Sequence, residues 1–189
     1  MTADPQTILA FDRYQDAKLP VKAITAEAWV RVDKPLQWGG IVGAIQDNGD
    51  YERGWILGYS HDHFSFAVAS EKEPVKMTYL AARDTFESRR WYHVAGTYDG
   101  ERMRIFVDGK LQGESVGQKG PISYPPKAQF NIAGYRDENE NYPMQGMIHD
   151  GASEAELERE ARKANPSLLA DGVAKVRAGL TSVDEVARV

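Results

Sequence analysis

The segment RRWYHVAGTYDGERMRIFVDGKLQGESV holds two Asp-Gly pairs, Asp99-Gly100 and Asp108-Gly109, each set between runs that alternate apolar and polar residues. Asp-Gly accepts the positive φ angles of a tight hairpin turn at little steric cost. Two such turns in succession make Trp91–Tyr98, Arg102–Val107 and Lys110–Val116 a three-stranded antiparallel meander. In the middle strand Met103, Ile105 and Val107 alternate with Arg102, Arg104 and Phe106, so the first set is predicted to face a core.

The same period of two recurs upstream. In ITAEAWVRV, Ile24, Ala26, Ala28, Val30 and Val32 share one face, while Thr25, Glu27, Trp29 and Arg31 share the other. WGGIVGAI and GWILGY read as short apolar strands whose glycines permit bends or close approach, and FSFAVAS and QFNIAGY are further strands by composition. Many short strands joined by antiparallel turn chemistry predict a mainly β fold, a two-sheet sandwich or jelly roll.

Composition bounds the rest. A chain of 189 residues, 42% hydrophobic and 10% aromatic, can bury a core. Its net charge of -5 and pI near 5.4 offer no basic surface for nucleic acid. No apolar run approaches the roughly 18 residues of a membrane span. The start, MTADPQTILAFDR, has no basic stretch followed by an apolar one, so no signal peptide is expected. Without cysteine there are no disulfides, and the redox compartment stays open.

Three segments carry a family likeness. RRWYHVAGTYDGERMRIFVDGKLQG, FDRYQDAKLP followed by ITAEAWVRVDKP, and FNIAGYRDENENYPMQGMI together resemble the laminin-G-like, concanavalin A-like jelly-roll domains over about residues 8–148. The resemblance implies two packed antiparallel sheets and a role in binding glycans or proteins, usually outside the cytoplasm. Some glycosidases and lyases share this fold, which does not decide function. Relative to the family pattern, the opening strand before FDRYQD is missing or reduced. The usual last strand after GMI is also missing, which leaves a sheet edge to cover.

Every aromatic residue lies between Phe11 and Tyr142, and the chain beyond is charged and alanine-rich. The expected organisation is therefore a jelly roll over 1–149 and a short α-helical tail over 150–189. Ser153 with Glu156 and Ser182 with Glu185 form capping boxes, and Asn165-Pro166 ends the first helix. The tail is too short for a core of its own, so it is expected to dock near the open sheet edge. From Met147 onward, MIHDGASEAELEREARKANPSLLADGVAKVRAGLTSVDEVARV resembles the C-terminal end of type II secretion and type IV pilus assembly ATPases. The phosphate-binding G-x-x-x-x-G-K-[ST] of such enzymes is absent, so ATPase activity does not carry over. The two patterns overlap at Met147-Ile148, as a chimeric join would, and they conflict on compartment: exported for one family, cytoplasmic for the other.

The candidate sites are polar loops and aromatics. Asp47, Asn48 and Asp50 in QDNGDYERG cluster oxygens that could hold Ca²⁺, although turn composition favours a polar turn. Asp137 belongs to a second oxygen-rich loop, YRDENENYP, which also reads as a solvated acidic loop. His61 and His63 lack the further ligands that a transition metal requires, and His93 falls inside a strand. Trp38, Trp55, Tyr59 and Tyr135 lie in loops or at strand ends, where they can stack on sugar faces, although aromatics also fill sandwich cores. Trp29 and Trp91 are assigned to packing. No G-x-S-x-G elbow, cysteine nucleophile or closely spaced strand carboxylates are present, so no enzyme is expected. The sequence thus predicts a non-enzymatic module for a glycan or protein ligand, with Ca²⁺ as the one candidate cofactor. The alternative is a structural or interaction scaffold carrying the secretion-ATPase-like tail.

Overall fold

A computed structural model describes residues 8–11, 19–72, 74–126, 129–137 and 140–148. All its strands lie in the unit Met1–Asp150. The capping boxes, the helices and the docking expected of the tail lie outside the described residues.

Two antiparallel sheets form the body, numbered here along the chain. The first contains β1 (Leu9–Phe11), β3 (Gly39–Asn48), β4 (Tyr51–Ser60), β5 (His63–Ala69), β6 (Met77–Ala81) and β10 (Phe130–Ile132), in the order β1-β10-β3-β4-β5-β6. The second contains β2 (Ile24–Val32), β7 (Trp91–Tyr98), β8 (Met103–Val107), β9 (Lys110–Ser115) and β13 (Gly146–Ile148), in the order β13-β2-β7-β8-β9. A separate hairpin pairs β11 (Gly134–Arg136) with β12 (Asn141–Pro143).

The meander forms with its two turns built differently. Val107 pairs with Lys110, so Asp108-Gly109 is a two-residue turn, with φ of 50° and 73° at its two positions. Tyr98 pairs instead with Met103, which leaves Asp99–Arg102 as a four-residue loop. There the Asp99 carboxylate accepts from the backbone N–H groups of Glu101 (3.0 Å) and Arg102 (2.8 Å), so the side chain closes the turn.

The ends of the sandwich refine the sequence expectation. An opening strand is present: the described residues Leu9–Phe11 form β1 and pair with β10. GMI forms β13 and pairs with Val30–Val32 of β2, while the residues after it, on which the open edge depends, lie outside the described ones. Among the described residues β13 goes no further along β2.

Alternation drives one face of each sheet inward. Val30, Val32, Val94, Met103 and Ile105 from one sheet meet Ile41, Leu57, Phe64, Phe66 and Val68 from the other, all at 1% exposure or less. A buried aromatic group closes one region of this core, with Phe86 at 4.5 Å from Phe64 and edge-on to Tyr59 at 5.7 Å (ring centroids). Trp29 and Trp91 are half-buried on the outer face of the five-stranded sheet, outside this core. Trp29 packs on His93 at 5.3 Å, and the Arg31 guanidinium lies 5.9 Å from the Trp91 ring.

Candidate ligand-binding site

The outer face of the six-stranded sheet carries the site, and the register explains its shape. Gly40, Gly58, Ser65 and Ala81 lie side by side across β3, β4, β5 and β6. The next row outward on that face is Gly43, Ile56, Ala67 and Tyr79. Rows this poor in bulk leave a trough wherever larger side chains stand around them. Trp38 precedes β3 and Tyr79 projects from β6; their ring centroids are 6.2 Å apart. Both stay accessible, Trp38 at 45% and Tyr79 at 42%.

The third wall comes from the β11–β12 hairpin. A Cβ on Gly40 would sit 2.3 Å from the Gly134 carbonyl oxygen, so only glycine lets the hairpin backbone approach β3 this closely. The Ala133 N–H donates to the Ile41 carbonyl at 2.9 Å and fixes that approach. Tyr135 consequently lies against the sheet, 7% exposed, among Ile45, Ile56, Ala67, Ala69 and Met77. The result is a cavity of about 290 Å³ lined by Trp38, Ile56, Ser65, Tyr79, Tyr135 and Glu140, together with Gly39, Asp47, Gly58 and Tyr59.

Paired tyrosine–carboxylate contacts organise its polar groups. The Tyr79 hydroxyl donates to Asp47 Oδ2, and the Tyr135 hydroxyl donates to Asp137 Oδ2 at 2.7 Å. The Asp47 N–H reaches the same Asp137 oxygen at 3.4 Å, and the Glu140 N–H donates to Asp137 Oδ1 at 2.8 Å. Burial, then the hydrogen bond to its carboxylate, raises each of these two tyrosines well above the usual phenol range. Burial alone raises Tyr59, whose hydroxyl has no hydrogen-bond partner among the described residues.

These shifts have a testable sign. A folded-state pKa above the ordinary 10.0 means that the neutral hydroxyls stabilise the fold below pH 10, and that this contribution fades as pH climbs past 10 toward the raised values. A spectrophotometric alkaline titration should therefore leave a class of tyrosines protonated until near-UV circular dichroism is lost. Ionisation of all nine tyrosines in a single step near pH 10, with the fold intact, would contradict it.

The sequence candidates separate by strand parity and turn position. Trp38, Tyr135, Asp47 and Tyr59 all come to the cavity, from positions far apart in the chain. Tyr59 is 1% exposed, and its ring also belongs to the interior, against Phe86. Trp55 does not reach the site: it alternates with Ile56 onto the inner face, is 4% exposed and packs edge-on to Phe130 at 6.2 Å. Its assignment as a ligand contact is corrected to a core role.

Asn48 pairs with Tyr51 and Asp50 follows Gly49 in the hairpin turn between β3 and β4, so both occupy that turn. Of the four proposed Ca²⁺ ligands, Asp47 and Asp137 approach each other, and their oxygens accept from tyrosine hydroxyls and backbone N–H groups. Among the described residues no three or more His, Asp or Glu side chains converge as a metal would need. Among the described residues this donor set falls short of the six to eight oxygens that Ca²⁺ takes. His61 sits in a turn with φ of 53°, and His63 Nδ1 contacts the Ala82 carbonyl oxygen at 2.9 Å.

Sequence reasoning missed Tyr79 and Ser65. The available signal was alternation in MTYLA, which puts Met77, Tyr79 and Ala81 on one face, and in FSFAVA, which turns Ser65 away from Phe64 and Phe66.

Two antiparallel sheets packed face to face in this strand order make a mainly β sandwich of the jelly-roll kind. The chain belongs to the Laminin_G_3 family of the concanavalin A-like lectin/glucanases superfamily, whose profile matches residues 11–152. Among solved structures, a putative carbohydrate binding protein from Bacteroides ovatus aligns at TM-score 0.53 and 21% identity, over 75% of this chain and 38% of that one. The Ruminococcus gnavus IT-sialidase CBM40, solved with α2,3-sialyllactose, aligns at TM-score 0.58 and 12% identity, over 74% of this chain and 80% of that one. At these identities the likeness is one of fold. Human pappalysin-1 is 25% identical over 140 residues, which span 67% of this chain and 8% of that protein. A shorter likeness, 48% over 46 residues, relates 24% of the chain to 9% of type II secretion system protein E of Pseudomonas aeruginosa. The chain thus spans less than a tenth of each of these two curated relatives. Among the described residues no helix is long and apolar enough to cross a membrane.

Proposed function

We propose that the sandwich is a non-enzymatic module that binds a glycan in the cavity between Trp38, Tyr79 and Tyr135. The observation that carries this reading is the pairing of two accessible aromatic rings with a floor of small side chains. A sugar ring is a flat body with an apolar C–H face and a polar rim. It needs aromatic surface to lie on and hydrogen-bonding groups at its edge, the combination typical of small-ligand sites. Trp38 and Tyr79 supply the surface; Ser65, Asp47 and Glu140 supply the edge. The fold shared with two carbohydrate-binding structures supports the same ligand class. A protein ligand is the alternative, and the size of the cavity favours a saccharide unit over a broad contact.

Among the described residues lining the cavity, the carboxylates are Asp47 and Glu140, with Asp47 accepting from Tyr79. Titration calorimetry of the full chain against a saccharide panel, with and without Ca²⁺, tests the proposal. Saturable binding that competes with quenching of Trp38 fluorescence is expected. Binding that persists unchanged when the cavity is blocked by Ser65→Trp would place the ligand elsewhere and defeat it.

A further inference from the structure

The wall of the hollow can be followed by contact from residue to residue. Trp38 meets Tyr79 through their rings, the Tyr79 hydroxyl donates to Asp47, and the Asp47 N–H reaches Asp137 Oδ2 at 3.4 Å. The Tyr135 hydroxyl donates to that same Asp137 oxygen at 2.7 Å. Next to Tyr135, the Gly134 backbone lies against Gly40, two positions along the chain from Trp38, and the circuit closes. We infer, resting on the glycan reading above, that the site takes the terminal unit of a glycan, lowered in end-on, and not an internal stretch of a linear chain.

An internal stretch of chain needs two openings in the wall, one for the units before it and one for those after. Between Trp38 and Tyr79 there is none, because centroids 6.2 Å apart lie within the range of rings in contact. Between Tyr79 and Tyr135 the way is bridged by the two carboxylates that accept from their hydroxyls. On the remaining side the Ala133 N–H bond to the Ile41 carbonyl, at 2.9 Å, holds the hairpin backbone down on β3. Ile56, Gly58 and Ser65 form the floor, so the bond joining a bound unit to the rest of its glycan points away from the sheet. The two accessible rings are also set for one unit. Trp38 and Tyr79 meet at 52°, so they form a corner that faces a single sugar ring from two sides. A flat row of aromatics, by contrast, would stack successive units along a line. Volume agrees: about 290 Å³ falls just under the roughly 300–1,000 Å³ of small-molecule sites, which suits one unit better than a chain.

The test uses the full chain with malto-, xylo- and galacto-oligosaccharides, each as a ladder from the single sugar upward, and with amylose, xylan and galactan. Calorimetric affinity should level off by the second unit, every longer member of a bound ladder staying within about threefold. Cutting the parent polysaccharide with an endo-acting hydrolase should raise the binding sites per gram in proportion to the chain ends made. Tyr79→Ala breaches the wall between Trp38 and Asp47, so in that variant affinity should instead climb with chain length. If the variant does not fold, the ladder and the cleavage series on the unaltered protein decide alone. Affinity that climbs with each added unit in the unaltered protein overturns the inference and leaves the glycan reading standing. So do sites per gram indifferent to cleavage, or a level profile in folded Tyr79→Ala. No saccharide bound from any ladder overturns both.

Discussion

Phe66→Ala is expected to destabilise the sandwich by about 3–5 kcal/mol, the cost of emptying a fully buried aromatic position. Phe66 is 0% exposed and faces the five-stranded sheet at the point where β7 carries Gly96. A Cβ built on Gly96 would fall 2.3 Å from Phe66 Cδ2, so the glycine makes room for the ring. Gly96→Ala is therefore expected to destabilise as well, by overpacking, at about 1–3 kcal/mol. The two are coupled through one volume: in the Phe66→Ala background the added methyl should cost less than it does alone. Chemical denaturation of the four members of this cycle measures it. A loss below about 1 kcal/mol for Phe66→Ala, or additivity of the pair, would show that the sheets do not meet here as described.

The second large effect concerns binding. Trp38→Ala should lower affinity for a bound saccharide by about 2 kcal/mol, roughly thirtyfold, as removal of a central aromatic anchor does. It should leave stability within about 0.5 kcal/mol, because Trp38 is 45% exposed and its ring contact is with Tyr79 on the surface. Tyr135→Ala should behave differently, with stability and affinity falling together. Tyr135 is 7% exposed and ties the hairpin to β3 through Asp137 and Asp47. Tyr135→Phe keeps the ring and removes only that tie, so it separates the hydroxyl's part from the ring's. Calorimetric titration beside a thermal midpoint decides the matter. Unchanged affinity in a folded Trp38→Ala protein would remove the site from this face of the sheet.

The fold was legible where its signal is local. Alternation in Ile24–Val32 and Met103–Val107 depends on the pleat of a single strand, and most residues it turns inward are buried, from 0% at Val30, Met103 and Ile105 to 8% at Ile24 and Ala26, with Ala28 and Val107 half-buried. The Asp-Gly pairs marked both hairpins, although they could not say that one turn has two residues and the other four. That choice belongs to the register between strands and to the Asp99 carboxylate. GMI at 146–148 was legible as the end of the family pattern, and the register along Val30–Val32 made it a strand.

The site was less legible, for a physical reason. Trp55 and Tyr135 looked alike in sequence, each beside glycine, yet one faces the core and the other covers the outer face. Strand parity decides the first. A hairpin folding back over β3 decides the second, and no local pattern encodes that. Tyr79 stands 41 positions from Trp38 and meets it across β4 and β5, which carry Gly58, Ser65 and Ala67 beside Ile56 on that face.

What the sequence by itself determined is therefore the class of fold, the meander, most of the inward faces, the acidic net charge and the lack of cysteine, since each follows from residue type and short-range spacing. Only the tertiary structure decided which aromatics meet and which are swallowed by the core. It also brought Asp47 and Asp137 to the hydroxyls of Tyr79 and Tyr135. Those outcomes depend on registers between strands distant in sequence, on which side of a sheet each row falls, and on the close backbone approach at Gly40 that brings the hairpin down.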